Sequence, residues 1–258
     1  MSVQHDLLLT KLKAYRVGEG SCALLKNYLS GRRQRVKIGD TISNWAGTRR
    51  GVPQGSILGP MFFNIFINDL FQHVKCAKLN AYADDHQIYW ASLDPLALEE
   101  CICQEVNVAN QWYKSNGMIV NEKKYQALIL GKTEHNFSFP VNNSIDIFGM
   151  TIDNRLSFDN HVFVICKKIN NQFNTMFRFR KLINKETLFK LYKTFILPHF
   201  CYCCSEWHFC GARKADKVDN LNKRILRFIL QDYSSPYDIL LSKFNMKSDD
   251  SLDASRTS

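Results

Sequence analysis

Two adjacent aspartates, Asp84 and Asp85, lie between two short segments in which apolar and polar residues alternate. Leu79 and Ala81 precede the pair and Ile88 follows it, and this period of two is typical of β-strands. Because aspartate tolerates the backbone of a tight turn, the stretch predicts a β-hairpin with both carboxylates at its tip.

Paired carboxylates at a hairpin tip have two interpretations. In the first, they are solvated turn residues, as in most Asp-Asp turns. In the second, their oxygen atoms hold hard divalent cations, the arrangement that two-metal phosphoryl or nucleotidyl transfer requires. The pair alone does not choose between them, so the choice depends on neighbouring motifs.

The charge of the chain favours a polyanionic partner. Its 258 residues contain 34 Lys and Arg against 24 Asp and Glu, a formal net charge of +10. Such an excess indicates nucleic acid first and a membrane surface second. The N-terminus lacks the pattern of a signal peptide, and no apolar stretch approaches the roughly 20 residues that span a bilayer. We therefore expect an intracellular protein, in either the nucleus or the cytoplasm.

The cysteines predict a reduced protein. Nine is an odd number in a chain of this length, so reduced thiols are expected rather than a disulfide framework. Four of them lie close to two histidines, but the spacing matches no common paired zinc pattern, and the apolar context favours buried thiols over zinc. This cluster contains His199, Cys201, Cys203, Cys204, His208 and Cys210.

A strand-like run after residue 31 is rich in arginine. Arg32, Arg33 and Arg35 lie beside Val36 and Ile38. One interpretation is a solvated edge strand, which such charges protect from mispairing. The other is contact with nucleic-acid phosphates, for which the planar guanidinium is well suited. The number of arginines in one region favours phosphate contact.

A loop rich in glycine and proline begins at Gly51 and ends at Pro60. Its glycines allow the backbone to approach a ligand closely, and Pro60 suits the first turn of a following helix. A plain loop before a core helix is the simpler alternative, but Gln54, between a proline and a glycine, is difficult to explain as turn chemistry alone. The helix is apolar on nearly all sides and is expected to be buried beneath the aspartate hairpin.

Two motifs in this order resemble a known family. The first is Arg-Gly-Val-Pro-Gln-Gly-Ser at 50–56 with Leu-Gly-Pro at 58–60, and the second is Tyr-Ala-Asp-Asp (YADD) at 82–85. Together they closely resemble the reverse transcriptases of non-LTR, LINE-type, jockey-like retrotransposons. The resemblance implies an RNA-directed DNA polymerase, a nucleotidyltransferase that extends a primer 3′-hydroxyl. The implied partners are an RNA template, a DNA primer and deoxynucleoside triphosphates.

The resemblance also implies an α+β fold. The family has a right-hand polymerase palm, an antiparallel sheet backed by helices, followed by a helical thumb. We predict a partial palm at 1–158, a helical thumb or connection-like region at 159–235, and a C-terminal segment at 236–258 with a disordered tail from about residue 248. The fingers of the family are expected to be missing.

Site residues follow from positions that match the family motifs. Asp84 and Asp85 stand where the family holds two Mg²⁺ ions, for which Mn²⁺ is an alternative. Lys124 matches a lysine near the nucleotide phosphates, although lysine in a turn is commonplace. The positions that match substrate or template binding are Gly51, Pro53, Gln54, Gly55, Tyr82, Phe148 and Gly149.

Further elements are predicted downstream. Apolar spacing indicates a helix from Leu98 to Tyr113 that stops at Asn116-Gly117, and then a strand at 127–130. A hairpin containing residues 145–150, with a turn at Asp153-Asn154, resembles the element that grips the primer end. Any hairpin with a glycine would look similar.

From about residue 160 to residue 230 the pattern is helical, with an apolar stripe that is normally core. Lys167 and Lys168 lie beside the stripe. A basic helix face is usually just solvated, but on a polymerase thumb it follows the phosphates of the primer–template duplex. The stripe contains Ile165, Ile169, Phe173 and Met176.

A third metal-binding acid of the family has no counterpart in this sequence. The family places it on an earlier strand, ahead of a short link that residues 2–8 resemble. We therefore expect an N-terminally truncated fragment that cannot polymerise alone, because two-metal catalysis depends on its bridging carboxylates. The alternative function is a non-catalytic retroelement remnant that binds nucleic acid through its basic residues.

Overall fold

The structure is a computed structural model of the chain, and it describes residues 3–207 and 211–242. These residues form α-helices and short antiparallel strand pairs, which confirms the predicted α+β class. They fall into two compact units, the first within Met1–Tyr125 and Thr133–Ser138 and the second within Gln126–Lys132 and Phe139–Ser258. Every ladder in the described part of the chain is two-stranded, so the expected antiparallel sheet is found there as separate strand pairs.

The first unit begins with two helices and a long hairpin, and continues with a helical pair, the aspartate hairpin and a long helix. Its elements are α1 (His5–Ala14), α2 (Glu19–Leu29), β1 (Arg33–Gln34), β2 (Lys37–Ile38), β3 (Thr41–Ile42), β4 (Ala46–Gly47), α3 (Leu58–Ile67), α4 (Leu70–His73), β5 (Lys78–Tyr82), β6 (Asp85–Tyr89), α5 (Pro95–Ser115) and a 3₁₀ turn at Glu122–Lys124.

Three phenylalanines of α3 form the centre of the first unit's core. Phe62, Phe63 and Phe66 are at most 1% exposed and pack with residues of α1, α2 and α5. Burying one such side chain contributes roughly 1.5–3 kcal/mol. The inward residues of β5 and β6 pack against the same cluster, as predicted. The buried face of α3 therefore lies in the cluster that the hairpin covers, while Met61 of the same helix is 48% exposed.

Lys11 connects α1 to the helices around it. Its Nζ donates to the Phe66 carbonyl at 2.6 Å and to Asp69 Oδ1 at 2.7 Å. The same ammonium lies 4.5 Å from the Phe66 ring centroid and 4.7 Å from that of Trp112. Burial lowers the pKa of Lys11, and the Asp69 carboxylate opposes this shift. This lysine therefore fixes α1 by polar contacts within an otherwise apolar core.

Glu99 on α5 holds the segment Thr133–Ser138 in the first unit. Its Oε1 accepts the Ser138 backbone N–H at 2.7 Å, and its Oε2 lies 2.6 Å from His135 Nε2. These bonds to Ser138 and His135 lower the pKa of Glu99 from 4.5 to about 2. A carboxyl whose pKa is lowered by folding stabilises the folded state at pH values above its pKa in the unfolded state. This contribution is lost as the pH falls towards its pKa in the folded state.

We expect acid to release this segment from α5. The pKa of Glu99 is 4.5 when the segment is released and about 2 when it is attached. The attachment is therefore complete above about pH 4.5 and is lost as the pH falls towards about 2. Hydrogen exchange of the amides at 133–138 across this range measures the release. Protection is the slowing of exchange relative to that of an unfolded chain at the same pH. Glu99→Ala should lower the protection of these amides at neutral pH and abolish its further loss in acid, while Glu100→Ala, an exposed neighbour, should do neither.

The described part of the second unit contains one strand pair and a group of helices. Its elements are β7 (Ser144–Ile147), β8 (Met150–Asp153), α6 (Asp159–Arg178), α7 (Lys185–Leu191), a π-helical turn (Tyr192–Ile196), α8 (Leu197–Cys201), α9 (Cys204–Trp207), α10 (Ala212–Leu230) and α11 (Tyr237–Ser242). The stripe predicted on α6 is confirmed, since all four of its members are buried in the core of this unit.

A buried polar chain crosses that core. The Tyr192 hydroxyl donates to Asn222 Oδ1 at 2.8 Å, and Asn222 Nδ2 donates to the Tyr237 hydroxyl at 2.7 Å. Burial raises the pKa of Tyr192. Because unpaired polar groups are costly in such a core, these bonds select one packing of α10 against its neighbours.

Two predictions for residues 127–153 are wrong. Among the described residues, the strand at 127–130 is reduced to a single bridge from Leu128 to Asn142. The hairpin turn lies at Phe148-Gly149, between the paired residues Ile147 and Met150, and not at Asp153-Asn154. Both turn residues have positive φ, as a type I′ hairpin turn requires. Asp153 ends β8, and its carboxylate accepts N–H groups from Arg155, Ser157 and Phe158.

The expected burial of the clustered cysteines is also wrong, because Cys201 is exposed and Cys203 and Cys204 are half-buried. His208, Cys210 and the predicted disordered tail lie outside the described residues. None of the helices within the described ranges is both long and apolar enough to cross a membrane.

Candidate active site

The aspartate hairpin is present with the predicted turn. β5 and β6 pair in antiparallel register from Lys78↔Tyr89 to Tyr82↔Asp85, which leaves Ala83 and Asp84 as a two-residue loop. Ala83 has a φ of +52°, the positive value that such tight turns demand of a central residue. The loop length and register therefore place Asp84 in the turn and Asp85 at the first position of β6.

Both carboxylates at the tip are exposed, and Tyr82 beside them is 70% exposed. Adjacent carboxylates supply the hard oxygen donors that Mg²⁺ and Mn²⁺ prefer. Mg²⁺ is usually held by one or two carboxylates, with water and substrate phosphates as the other ligands. Within residues 3–207 and 211–242, no group of three or more potential His, Cys, Asp or Glu ligands is found. The tip thus fits the carboxylate share of a magnesium site.

His86 holds the base of the tip against α5. Its ring stacks on Tyr113 with centroids 5.6 Å apart, and the Tyr113 hydroxyl is hydrogen-bonded to Nδ1 of His86. Burial lowers the pKa of His86, although a hydrogen bond with the Ala83 backbone and the charges of Asp84 and Asp85 act to raise it. Burial likewise raises the pKa of Tyr113 to about 12. A stacked and hydrogen-bonded ring pair therefore joins the residue next to Asp85 to α5.

Glu105 anchors the chain where it enters β5. This residue is 3% exposed on α5, and its Oε1 accepts the backbone N–H groups of Lys75 and Cys76 at 3.1 and 2.6 Å. The apolar spacing from Leu98 to Tyr113 did not predict its burial, but the buried residues of this helix are Cys101, Glu105, Ala109 and Trp112. A glutamate four residues from both Cys101 and Ala109, on the face that is buried, is the signal that identifies it.

The glycine-rich loop is organised by short polar contacts of its own. Ser56 Oγ donates to the Pro53 carbonyl at 2.7 Å and accepts the Gly59 N–H at 3.1 Å. Gly55 has a φ of +78°, and a Cβ on Gly59 would lie 3.1 Å from the Pro53 carbonyl. These constraints explain both glycines by geometry and leave Gln54 exposed at the turn.

The first described residues bind the start of this loop. The Gly51 N–H donates to the Val3 carbonyl at 2.7 Å, and His5 Nε2 donates to the Gly51 carbonyl at 2.8 Å. Gln4 and Arg50 form an antiparallel bridge between these two contacts. Because Val3 is fully buried in the core, the loop is attached to the same packed unit as the aspartate hairpin.

Comparison with known families agrees with this geometry. The family profile described as reverse transcriptase (RNA-dependent DNA polymerase) matches residues 1–152, more than half of the chain. The chain belongs to the reverse transcriptase family. The matched residues include both motifs that carried the resemblance, the loop at 50–60 and the hairpin at 78–89.

This reverse transcriptase chain is similar to polymerases of non-LTR transposons from Drosophila melanogaster. It is 25% identical over 250 residues to the probable RNA-directed DNA polymerase from transposon BS, which covers 88% of the chain and 27% of that protein. It is 23% identical over 221 residues to the corresponding protein of transposon X-element and over 224 residues to that of mobile element jockey. Each of these two matches covers 80% of the chain and 24% of the relative. The chain thus spans about a quarter of the length of these relatives, and the predicted non-LTR, jockey-like family is confirmed.

The remaining predicted site residues of the reverse transcriptase chain are divided between the two units. Lys124 is exposed in the 3₁₀ turn of the first unit, which also contains Arg32, Arg33 and Arg35. Phe148 and Gly149 form the β7–β8 turn of the second unit, and the Phe148 carbonyl accepts a hydrogen bond from the Tyr202 hydroxyl. Lys167 and Lys168 are exposed on α6. The structure therefore brings the aspartates and the glycine-rich loop into one unit and places the β7–β8 turn in the other.

Proposed function

We propose that this chain is a nucleotide-adding part of a retroelement reverse transcriptase, which extends the 3′-hydroxyl of a DNA primer on an RNA template. One observation carries the proposal: Asp84 and Asp85 lie side by side at an exposed hairpin tip whose strands pack against the core of the first unit. Metal-assisted chemistry on a large substrate requires carboxylates that are exposed to the substrate and held in place by a packed hairpin.

Reverse transcriptases generally use divalent metal, and the donors at the tip are of the correct kind. Asp84 and Asp85 would hold the ions, two of them in the intact family enzyme, as Mg²⁺ or Mn²⁺. When bound, such ions stabilise negative charge on the attacking and leaving oxygens of the transferred phosphoryl group. The residues behind the tip, His86 and Tyr113, contribute by keeping the turn in one position.

The other predicted residues have positioning roles in this proposal. The loop around Gln54 and the exposed Tyr82 shape the pocket for template and incoming nucleotide, and Lys124 neutralises nucleotide phosphates. Phe148 and Gly149 contact the primer end. Arg32, Arg33, Arg35, Lys167 and Lys168 bind the nucleic-acid backbone, since all five side chains are exposed. The functional palm is assigned to 1–158 and the thumb to 159–235.

A non-catalytic nucleic-acid-binding remnant is the second candidate. It is favoured by the exposed cations, which bind phosphate without any metal. In this function Asp84 and Asp85 are turn residues, and only the basic surfaces are used.

Removal of metal separates the two candidates. The purified chain is incubated with a labelled DNA primer annealed to an RNA template and deoxynucleotides, with Mg²⁺ or with EDTA. As a polymerase, it should add nucleotides in Mg²⁺ and none in EDTA, while its salt-dependent binding of the primer–template persists in both. Binding without addition in Mg²⁺ or Mn²⁺ would support the second candidate and the expectation that this polypeptide does not polymerise alone. Absence of both would contradict both functions.

A further inference from the structure

A basic hairpin projects from the first unit with both faces in solvent. The pairs β1–β4 and β2–β3 belong to one hairpin, which turns at Gly39-Asp40. The Ser43 N–H donates to the Val36 carbonyl at 2.9 Å and joins the two pairs. Every residue from Gly31 to Gly47 is exposed. A two-stranded hairpin without a buried face is marginally stable by itself. Because the side chains of this hairpin are exposed, they do not contribute to core packing.

The charge of this hairpin is complementary to a polyanion. Residues 32–50 contain six Lys and Arg and one acid, Asp40. The Arg32 guanidinium is tethered to α2, where its Nε donates to the Tyr28 carbonyl at 2.8 Å. The remaining cations are exposed along the strands and beside them. An excess of this kind binds phosphates independently of sequence.

Trp45 on this hairpin is unusual because it is a tryptophan that is largely exposed to solvent. The Arg35 guanidinium carbon lies 4.7 Å from the Trp45 ring centroid and covers one side of the indole. The residue is nevertheless 58% exposed, whereas Trp112 and Trp207 are at most 4% exposed. Arg35 thus holds the indole in one orientation and leaves its other side in water. A large aromatic surface presented among cations is the arrangement on which unpaired bases stack.

We propose that this hairpin binds single-stranded nucleic acid, with one unpaired base stacked on Trp45 and the adjacent phosphates bound by Arg33 and Lys37. A duplex offers the same phosphates, but its internal bases are already stacked on both sides and cannot reach the indole. The inference rests on the proposed function, because it assigns the unpaired strand of the substrate to a surface of the first unit. RNA and DNA share the required chemistry.

The test is the affinity of the purified chain for a labelled oligodeoxythymidine or oligouridine of about 12 nucleotides and for a duplex of equal length. Trp45→Ala should weaken single-strand binding about tenfold, the effect of losing one base–aromatic stack. Duplex binding should change less than about twofold, since it depends on phosphate contacts. Trp45→Phe should restore most of the affinity, and Ile38→Ala, an exposed apolar residue on the same hairpin, should have no effect.

A second variant separates charge from stacking. Replacing Arg33 and Lys37 by glutamine should lower the salt dependence of single-strand binding by about 1.4 in log–log slope, while Trp45→Ala should leave that slope unchanged. Equal losses of affinity for single strand and duplex in Trp45→Ala, or no loss in either, would overturn the stacking role. The proposed function would be unaffected by that result, because it is tested separately by metal-dependent primer extension. If the unaltered chain binds neither probe and adds no nucleotide, the proposed function itself fails.

Discussion

In the proposed polymerase function, we expect the double substitution Asp84→Asn/Asp85→Asn to lower metal-dependent nucleotide addition about a hundredfold or more, as does the loss of a preorganised electrostatic stabiliser in other enzymes. Asparagine keeps the turn propensity of aspartate, and β6 is paired at residue 85 through its backbone, so the hairpin should remain folded. The two negative charges that hold the cations are lost. Single-nucleotide addition to a primer on an RNA template measures the rate.

A second measurement keeps this prediction independent of activity. Mn²⁺ should broaden the backbone amide signals of residues 82–86 in the labelled chain, because it binds at the tip, and the double variant should lose this broadening. Asp40→Asn is the matched control, since Asp40 is a lone exposed aspartate in another two-residue hairpin turn. Equal broadening at the tip in the unaltered chain and in the double variant would show that these carboxylates do not hold the metal.

We expect Glu105→Ala to destabilise the first unit by about 2 to 3 kcal/mol, because it leaves two partly buried N–H groups without their acceptor. The lost contacts hold the chain two residues before β5, so the loss should also loosen the aspartate hairpin. The midpoint of urea denaturation, followed by the fluorescence of the buried tryptophans, measures the change. Hydrogen exchange at 78–89 measures the local effect.

Two variants provide the controls for Glu105. Glu105→Gln retains a carbonyl oxygen at the Oε1 position and should lose less than half as much stability. Glu100→Ala, at an exposed position of the same helix, should change the denaturation midpoint little. An unchanged midpoint in Glu105→Ala would mean that water replaces the glutamate at Lys75 and Cys76, and would contradict the anchoring role.

Local patterns predicted the elements that depend on near neighbours along the chain. The alternation around Asp84 and Asp85 identified β5, β6 and their turn, and spacing identified the α6 stripe and the end of α5 at Asn116-Gly117. These features follow from side-chain periodicity and turn chemistry, which act over a few residues. The order of the two motifs also identified the family, which the profile match over residues 1–152 confirms.

Long-range contacts decided which residues pair, where one hairpin turns and which face of α5 is buried. Within the described residues, the apolar run at 127–130 pairs only through the bridge from Leu128 to Asn142. Phe148 has a positive φ in a turn that the sequence predicted five residues later. The orientation of α5 places Glu105 inside and joins Tyr113 to His86, contacts between residues that are 29–30 and 27 positions apart.

Patterns along the chain were therefore enough to predict the family, the α+β class and the position of two acidic side chains at a hairpin tip. The tertiary structure decided what holds that tip in place, which polar groups are paired beneath it, and that the hairpin ending at Thr48 carries an exposed indole. The physical reason is that periodicity fixes which residues share a face, whereas burial and pairing depend on the surfaces that meet after the chain has folded.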